Sequence, residues 1–274
     1  MSAVFSNKHP FLTAVSLALG SAIALGLGRF SYGLLLPFMR EDLQWSYLLA
    51  GAMNTANAIG YLMGALSSPF LMKKVSVNRF FVWSCLWTGI FLFFSGFTDQ
   101  AVFLFLIRIF AGITSAWIFV AGGVLVSQLA TLHAQRSGLL LGIFYGGPGL
   151  GIVFSSLIVP IVNGLGVQHH LNHVWQFSWY ALGISCLALT IFLVKPVYSI
   201  PSIPPKSAGH SGTPMSKYWP ILAAYFMFGM GYIGYMTFVV ALLKQMGLDS
   251  ITLNIFYAML GFAVMASSRL WAKM

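Results

Sequence analysis

Eight long apolar stretches run through this chain, and its basic residues fall almost entirely on alternate connections between them. The stretches cover 11–38, 47–72, 79–97, 101–128, 138–162, 176–194, 219–243 and 250–272. A helix needs about 20 apolar residues to cross a hydrocarbon core. With 59% of residues hydrophobic and only 7% charged, a soluble fold of this size has no interior large enough to hide them. Backbone N–H and C=O groups find no water inside lipid, so the stretches are expected to fold as helices. The sequence predicts an all-α, polytopic membrane protein embedded in a lipid bilayer.

The net charge of +10 bears on orientation rather than on nucleic acid. Lys8 precedes the first stretch; Lys73, Lys74 and Arg79 follow the second; Arg136 follows the fourth. Lys195, Lys206 and Lys217 follow the sixth, and Arg269 and Lys273 lie at the end of the last. The opposite connections hold Arg40 and Lys244 together with all four acids, Glu41, Asp42, Asp99 and Asp249. Ten bases against two predict that both termini face the cytoplasm, in the inner membrane. No stretch remains for a folded basic module, so nucleic acid is not an expected partner. The first apolar run continues past Ala22-Ile23-Ala24 to Phe38, too long for a signal-peptide core, and is expected to stay as a span. Cys85 and Cys186 both fall inside stretches and read as packing residues.

Residues 195–217 interrupt the pattern, with Pro196, Pro201, Pro204, Pro205 and Pro214 among Ser, Gly and Lys. That is the composition of a flexible linker. The expected organisation is a six-helix bundle over 1–194, a cytoplasmic linker over 195–217, and two helices of a second bundle over 218–274. A shift of 200 residues supports the division. It places Tyr32 on Tyr232, Leu43 on Leu243, Ser67-Ser68 on Ser267-Ser268 and Lys73 on Lys273. Parallel repeats of six-helix bundles are a common transporter plan. On that plan the second half has six spans, which leaves the chain four short and is expected to mark a C-terminal truncation.

Gly26-x-Gly28-Arg29-Phe30-x-Tyr32, followed by Leu36-Pro37-x-Met39, resembles the first-span signature of the YbfB/YjiJ-like branch of the major facilitator superfamily. Leu104-x3-Arg108-x2-Ala111-Gly112 resembles the superfamily's fourth-span motif, whose arginine is assigned to substrate or proton coupling. Gly142-x3-Gly146-Gly147-Pro148-x2-Gly151 resembles a fifth-span motif associated with exchangers. The resemblance implies a major-facilitator-type fold and secondary transport by alternating access, coupled to an ion such as the proton. It also departs from the family at Ser68, where the loop motif after the second span carries an aspartate.

Arg29 and Arg108 are the two charges deep inside the apolar stretches, away from their ends. A charge at membrane depth costs a few kcal/mol, so each is a functional candidate by default. Arg29 precedes Met39 by ten residues and Arg108 follows Asp99 by nine, which places both about 14–15 Å from the same membrane face. No Asp or Glu lies within the stretches to neutralise them, and a guanidinium binds carboxylate or phosphate in bidentate fashion. A small, anionic solute is the partner this suggests. The alternative is that each arginine holds helices together through backbone carbonyls. Asn54, Asn57 and Tyr61 share a helical face and either line a polar path or join helices by hydrogen bonds. Tyr225 and Tyr232 share another face; they either line the cavity, with Tyr232 taken as a site candidate, or serve packing alone. Gly142, Gly146, Gly147, Pro148 and Gly151 form a small-residue segment whose proline bends the helix, suiting a moving element.

Enzymatic readings fail on inventory. Every histidine lies outside the stretches, leaving no base beside an intramembrane nucleophile. No Gly-Lys-Ser/Thr loop is present for ATP. His169, His170 and His173 lie together in one connection and read as solvated loop residues; neither metal nor cofactor is expected. The second hypothesis is a truncated, non-transporting membrane fragment, or a scaffold that needs a partner chain.

Overall fold

A computed structural model describes residues 8–201 and 215–271, the side chains of 215, 216, 269 and 271 apart. Among the described residues the chain forms eight long helices. They are α1 (Pro10–Asp42), α2 (Tyr47–Leu71), α3 (Val77–Phe94), α4 (Ala101–Leu132), α5 (Ser137–Gln168), α6 (Val174–Tyr198), α7 (Trp219–Gln245) and α8 (Ser250–Trp271). Most of the linker expected over 195–217 lies outside the described residues; the part within them is the end of α6 and a short 3₁₀ turn, Met215–Tyr218.

Seven of these helices are long and apolar enough to cross a membrane. The exception is α2, expected from its sequence to be a span. It has the length, but Asn54, Thr55, Asn57, Tyr61, Ser67 and Ser68 dilute its hydropathy. Several helices also overrun their apolar stretches: α4 continues to Leu132 and α5 to Gln168. Pro148 does not break α5, which stays helical through Pro148 and Pro160.

Local chemistry places the helix ends. Ser46 caps α2, its hydroxyl accepting from the Leu49 N–H at 3.2 Å. Asp249 caps α8, accepting from the Ile251 and Thr252 N–H groups and the Thr252 hydroxyl. Those donors hold its carboxyl below the usual carboxylate range.

The helices pack as α2 along α4, α3 against α4 and α6, and α5 between α1 and α8. Backbone-close contacts depend on glycine, and two of them show how. Gly151 of α5 lies against Ala22 and Gly26 of α1, and Gly112 of α4 lies against Asn57 of α2; a Cβ at either glycine would overlap the facing backbone. α7 packs on the Ser31–Asp42 part of α1. Its other half is exposed, with Tyr225 73% and Phe228 66% accessible. The bundle thus has an acidic end, where Glu41, Asp42, Asp99 and Asp249 gather, and a basic end with Lys73, Lys74, Arg136 and Lys195.

Candidate functional site

The middle of α1 is not an α-helix. Ala22–Phe30 is a π-helical segment between two α-helical ones. Wider turns of this kind are rare and concentrate at functional sites. Gly26 and Gly28 lie inside it, and Arg29 projects from its last turn.

Arg29 is half-buried and makes no hydrogen bond or ion pair among the described residues. Its guanidinium carbon stands 5.5 Å from the ring centroid of Tyr61 on α2. The charge also acts on Tyr232 of α7. Tyr232 meets the ring of Phe30 edge-on at 5.7 Å and stacks on Phe228 at 5.5 Å. Behind this layer, Tyr257 of α8 is fully buried and donates its hydroxyl to the Phe30 carbonyl at 2.6 Å.

Arg108 is 2% exposed, and its surroundings differ from those of Arg29. Its Nη1 donates to the carbonyl of Gly28, the residue before Arg29, at 3.0 Å. The guanidinium carbon lies 5.1 Å from the ring of Tyr32 and 5.4 Å from that of Trp179 on α6. Nε and Nη2, the side-on edge of the guanidinium, have no partner among the described residues. The buried Trp179 Nε1 and Ser115 Oγ have none either. No acid pairs with either arginine among the described residues. An unsatisfied buried charge-bearing edge is costly, which makes it the chemical focus of the site.

The predicted α2 face divides. Asn57 is buried and donates Nδ2 to the backbone carbonyl of Arg108 at 3.2 Å, joining α2 to α4. Asn54 donates Nδ2 to the hydroxyl of Thr237, joining α2 to α7. Tyr61 alone of the three meets an arginine side chain. Tyr32 donates to the Ala50 carbonyl at 2.7 Å, holding α1 to α2 beneath Arg108. Arg29, Tyr61 and Tyr232 therefore come together, while Arg108 sits on the far neighbours Gly28, Tyr32 and Trp179.

The glycine-rich segment faces two helices. Gly147 and Gly151 lie on α1; Gly146 lies against Ser268 of α8. Gly142, Gly146 and Gly147 also line an apolar cavity of about 420 Å³ between α1, α5 and α8. Tyr225 stands clear of this assembly, exposed on α7.

The histidine cluster resolves differently from expectation. His173 is not a free loop residue: its Nδ1 lies 2.6 Å from the Asp42 carboxylate, which also accepts from Trp175 Nε1 at 2.5 Å. The Asp42 hydrogen bond, aided by the charge of Asp99, pushes the imidazole pKa up. Spacing gives no sign of this pair, since 131 residues separate the partners. Tyr32, Trp179 and Tyr257 were likewise missed as site components. Tyr32 carried a signal through its place in the first-span signature; Trp179 and Tyr257 look in sequence like any other aromatic residue in an apolar stretch.

The family described as "Uncharacterised MFS-type transporter YbfB" matches residues 21–274, MFS standing for major facilitator superfamily. No curated protein matches the chain.

Proposed function

Because the chain belongs to this YbfB-type family of major facilitator superfamily transporters, we propose that it moves a small anionic solute across the inner membrane by alternating access. The observation that carries the reading is the buried, unpartnered Nε/Nη2 edge of Arg108, next to an Arg29 that has no acid partner. A guanidinium edge is shaped for two carboxylate or phosphate oxygens. Arg29, with Tyr61 and Tyr232, supplies the second cationic contact from α1, α2 and α7.

Coupling follows from inventory. The apolar stretches present here hold no acid, so the carrier of a co-transported proton is either the solute itself or a group in further spans of the second bundle. Gly142, Gly146, Gly147, Pro148 and Gly151 serve as the close-packed face on which α5 shifts against α1 and α8.

The acidic end is tied shut by the Glu41–Lys244 ion pair at 2.8 Å, Gln245 donating to Tyr47 at 2.5 Å, and the Asn54–Thr237 bond. The exposed half of α7 lies towards the basic end. With the basic end in the cytoplasm, this arrangement is closed on the outer side, and the Arg29, Tyr61 and Tyr232 layer lies between the two ends. The exposed face of α7 is then the site for lipid or further helices of the second bundle.

Uptake into proteoliposomes tests the reading with a panel of labelled carboxylates and phosphate. Transport of one of them that is lost in Arg29→Ala and Arg108→Ala supports it. Transport unchanged by both substitutions removes the site assignment.

A further inference from the structure

A second cavity, of about 290 Å³, lies at the acidic end on the seam between α1 and α5 on one side and α7 and α8 on the other. Leu34, Phe38, Val159, Val240 and Leu253 make most of its wall apolar. Its volume is near the lower bound, about 300 Å³, of small-molecule sites. Its polar lining is Asn163, Lys244, Ser250 and Asn254, of which Asn163 and Lys244 are held by protein partners and still keep a donor. Asn163 is 3% exposed; its Oδ1 accepts from the Ser178 hydroxyl at 2.8 Å, and its Nδ2 has no partner among the described residues. Lys244 gives two hydrogen bonds to Glu41, at 2.8 and 2.9 Å, and keeps a third N–H. The Glu41 carboxylate balances the Lys244 charge, so the pocket is not simply a cation.

An apolar chamber with an unsatisfied buried amide donor calls for a ligand that is apolar over most of its surface and ends in a strong acceptor. We propose that this cavity is a second solute site, separate from the arginine layer, that takes a small carboxylate with a compact apolar body. The carboxylate accepts from Asn163 Nδ2 and Lys244 Nζ, and the body rests on Phe38, Val159 and Leu253. The site belongs to the closed acidic end and does not depend on Arg29 or Arg108 binding anything.

Gly164 offers a reporter. It lines the cavity, and a Cβ there meets nothing within 4 Å. The native Cys85 and Cys186 are fully buried and free. The full chain carrying Gly164→Cys, in lipid nanodiscs, is alkylated with a maleimide in the presence and absence of millimolar benzoate. Benzoate slows labelling several-fold, and benzyl alcohol at the same concentration does not. Asn163→Asp keeps the acceptor for Ser178 but removes the donor, raising the benzoate concentration needed for protection by about tenfold or more. Arg29→Ala leaves protection intact even if transport is lost. Lys244→Gln, on the exposed rim, weakens protection in the same direction and decides the matter if Asn163→Asp does not fold. No slowing by benzoate overturns the proposal. So does equal slowing by benzyl alcohol, protection that survives both donor substitutions, or protection that vanishes with Arg29→Ala.

Discussion

Arg108→Lys separates a binding arginine from a structural one. The substitution keeps the positive charge and a donor able to reach the Gly28 carbonyl, now 3.0 Å from Nη1. It removes the Nε/Nη2 edge, which no protein group satisfies among the described residues. An ammonium is a point charge and cannot replace two parallel N–H donors. A hydrogen bond to a charged group contributes about 1.5–3 kcal/mol, so losing one of the pair weakens an oxyanion by about ten- to a hundredfold. The fold loses much less. The contacts with Tyr32 and Trp179 are cation–π in kind, about 0.5–2 kcal/mol each, and an ammonium keeps part of them. The ligand-free protein should therefore stay within about 2 kcal/mol of the parent. The assay is thermal unfolding in detergent with acetate, lactate, benzoate and phosphate as probes, because a ligand of the native state raises stability as the logarithm of one plus its concentration over Kd. The probe that stabilises the parent should need at least about tenfold more to stabilise Arg108→Lys. The reasoning is refuted if that concentration does not move. It is also refuted if Arg108→Lys alone loses about 3–5 kcal/mol, the signature of breaking a buried structural lock.

Three further outcomes follow from the packing and the acidic end. Tyr257→Phe leaves the Phe30 carbonyl without its 2.6 Å donor and should cost about 1–3 kcal/mol in denaturant unfolding; no change would show that the π-helical segment does not need the bond. Gly151→Val drives a side chain into Ala22 and Gly26 and should destabilise by about 1–3 kcal/mol, read as a lower melting temperature; a neutral result would mean that α1 and α5 do not pack this closely. His173 should titrate above the ordinary value of about 6.5 by NMR and fall back towards it in Asp42→Asn. Its folded-state pKa is the raised one, so its pairing contributes fully below the unfolded value and fades as pH rises through the folded value. A His173 titration that Asp42→Asn leaves unchanged would contradict the pairing.

The spans were readable because the bilayer imposes one rule, length times apolarity, that holds without tertiary information. The rule is weakest at α2, where the same asparagines that join α2 to its neighbours lower its hydropathy. The π-helical turn was not readable: Gly26 and Gly28 show that the backbone has freedom there, but not which helix it adopts. Arg29 and Arg108 stood out as charges among apolar residues. What they touch did not, since Tyr32, Trp179 and Tyr232 reach them only through helix packing. Asn57 illustrates the limit. Its spacing with Asn54 and Tyr61 left open a polar path or a helix-joining hydrogen bond, and only packing shows that it bonds the backbone of α4. His173 and Asp42 met for the same reason, when the ends of α1 and α6 came together.

The most direct measurement is exchange of a labelled carboxylate found to bind, across proteoliposomes loaded with the same unlabelled solute, which reads transport whether or not net charge moves. The account predicts label uptake by the parent protein that disappears in Arg29→Ala and in Arg108→Ala, with both variants still folded. Equal uptake by parent and variants would contradict it, because the solute would then cross without using the two arginines.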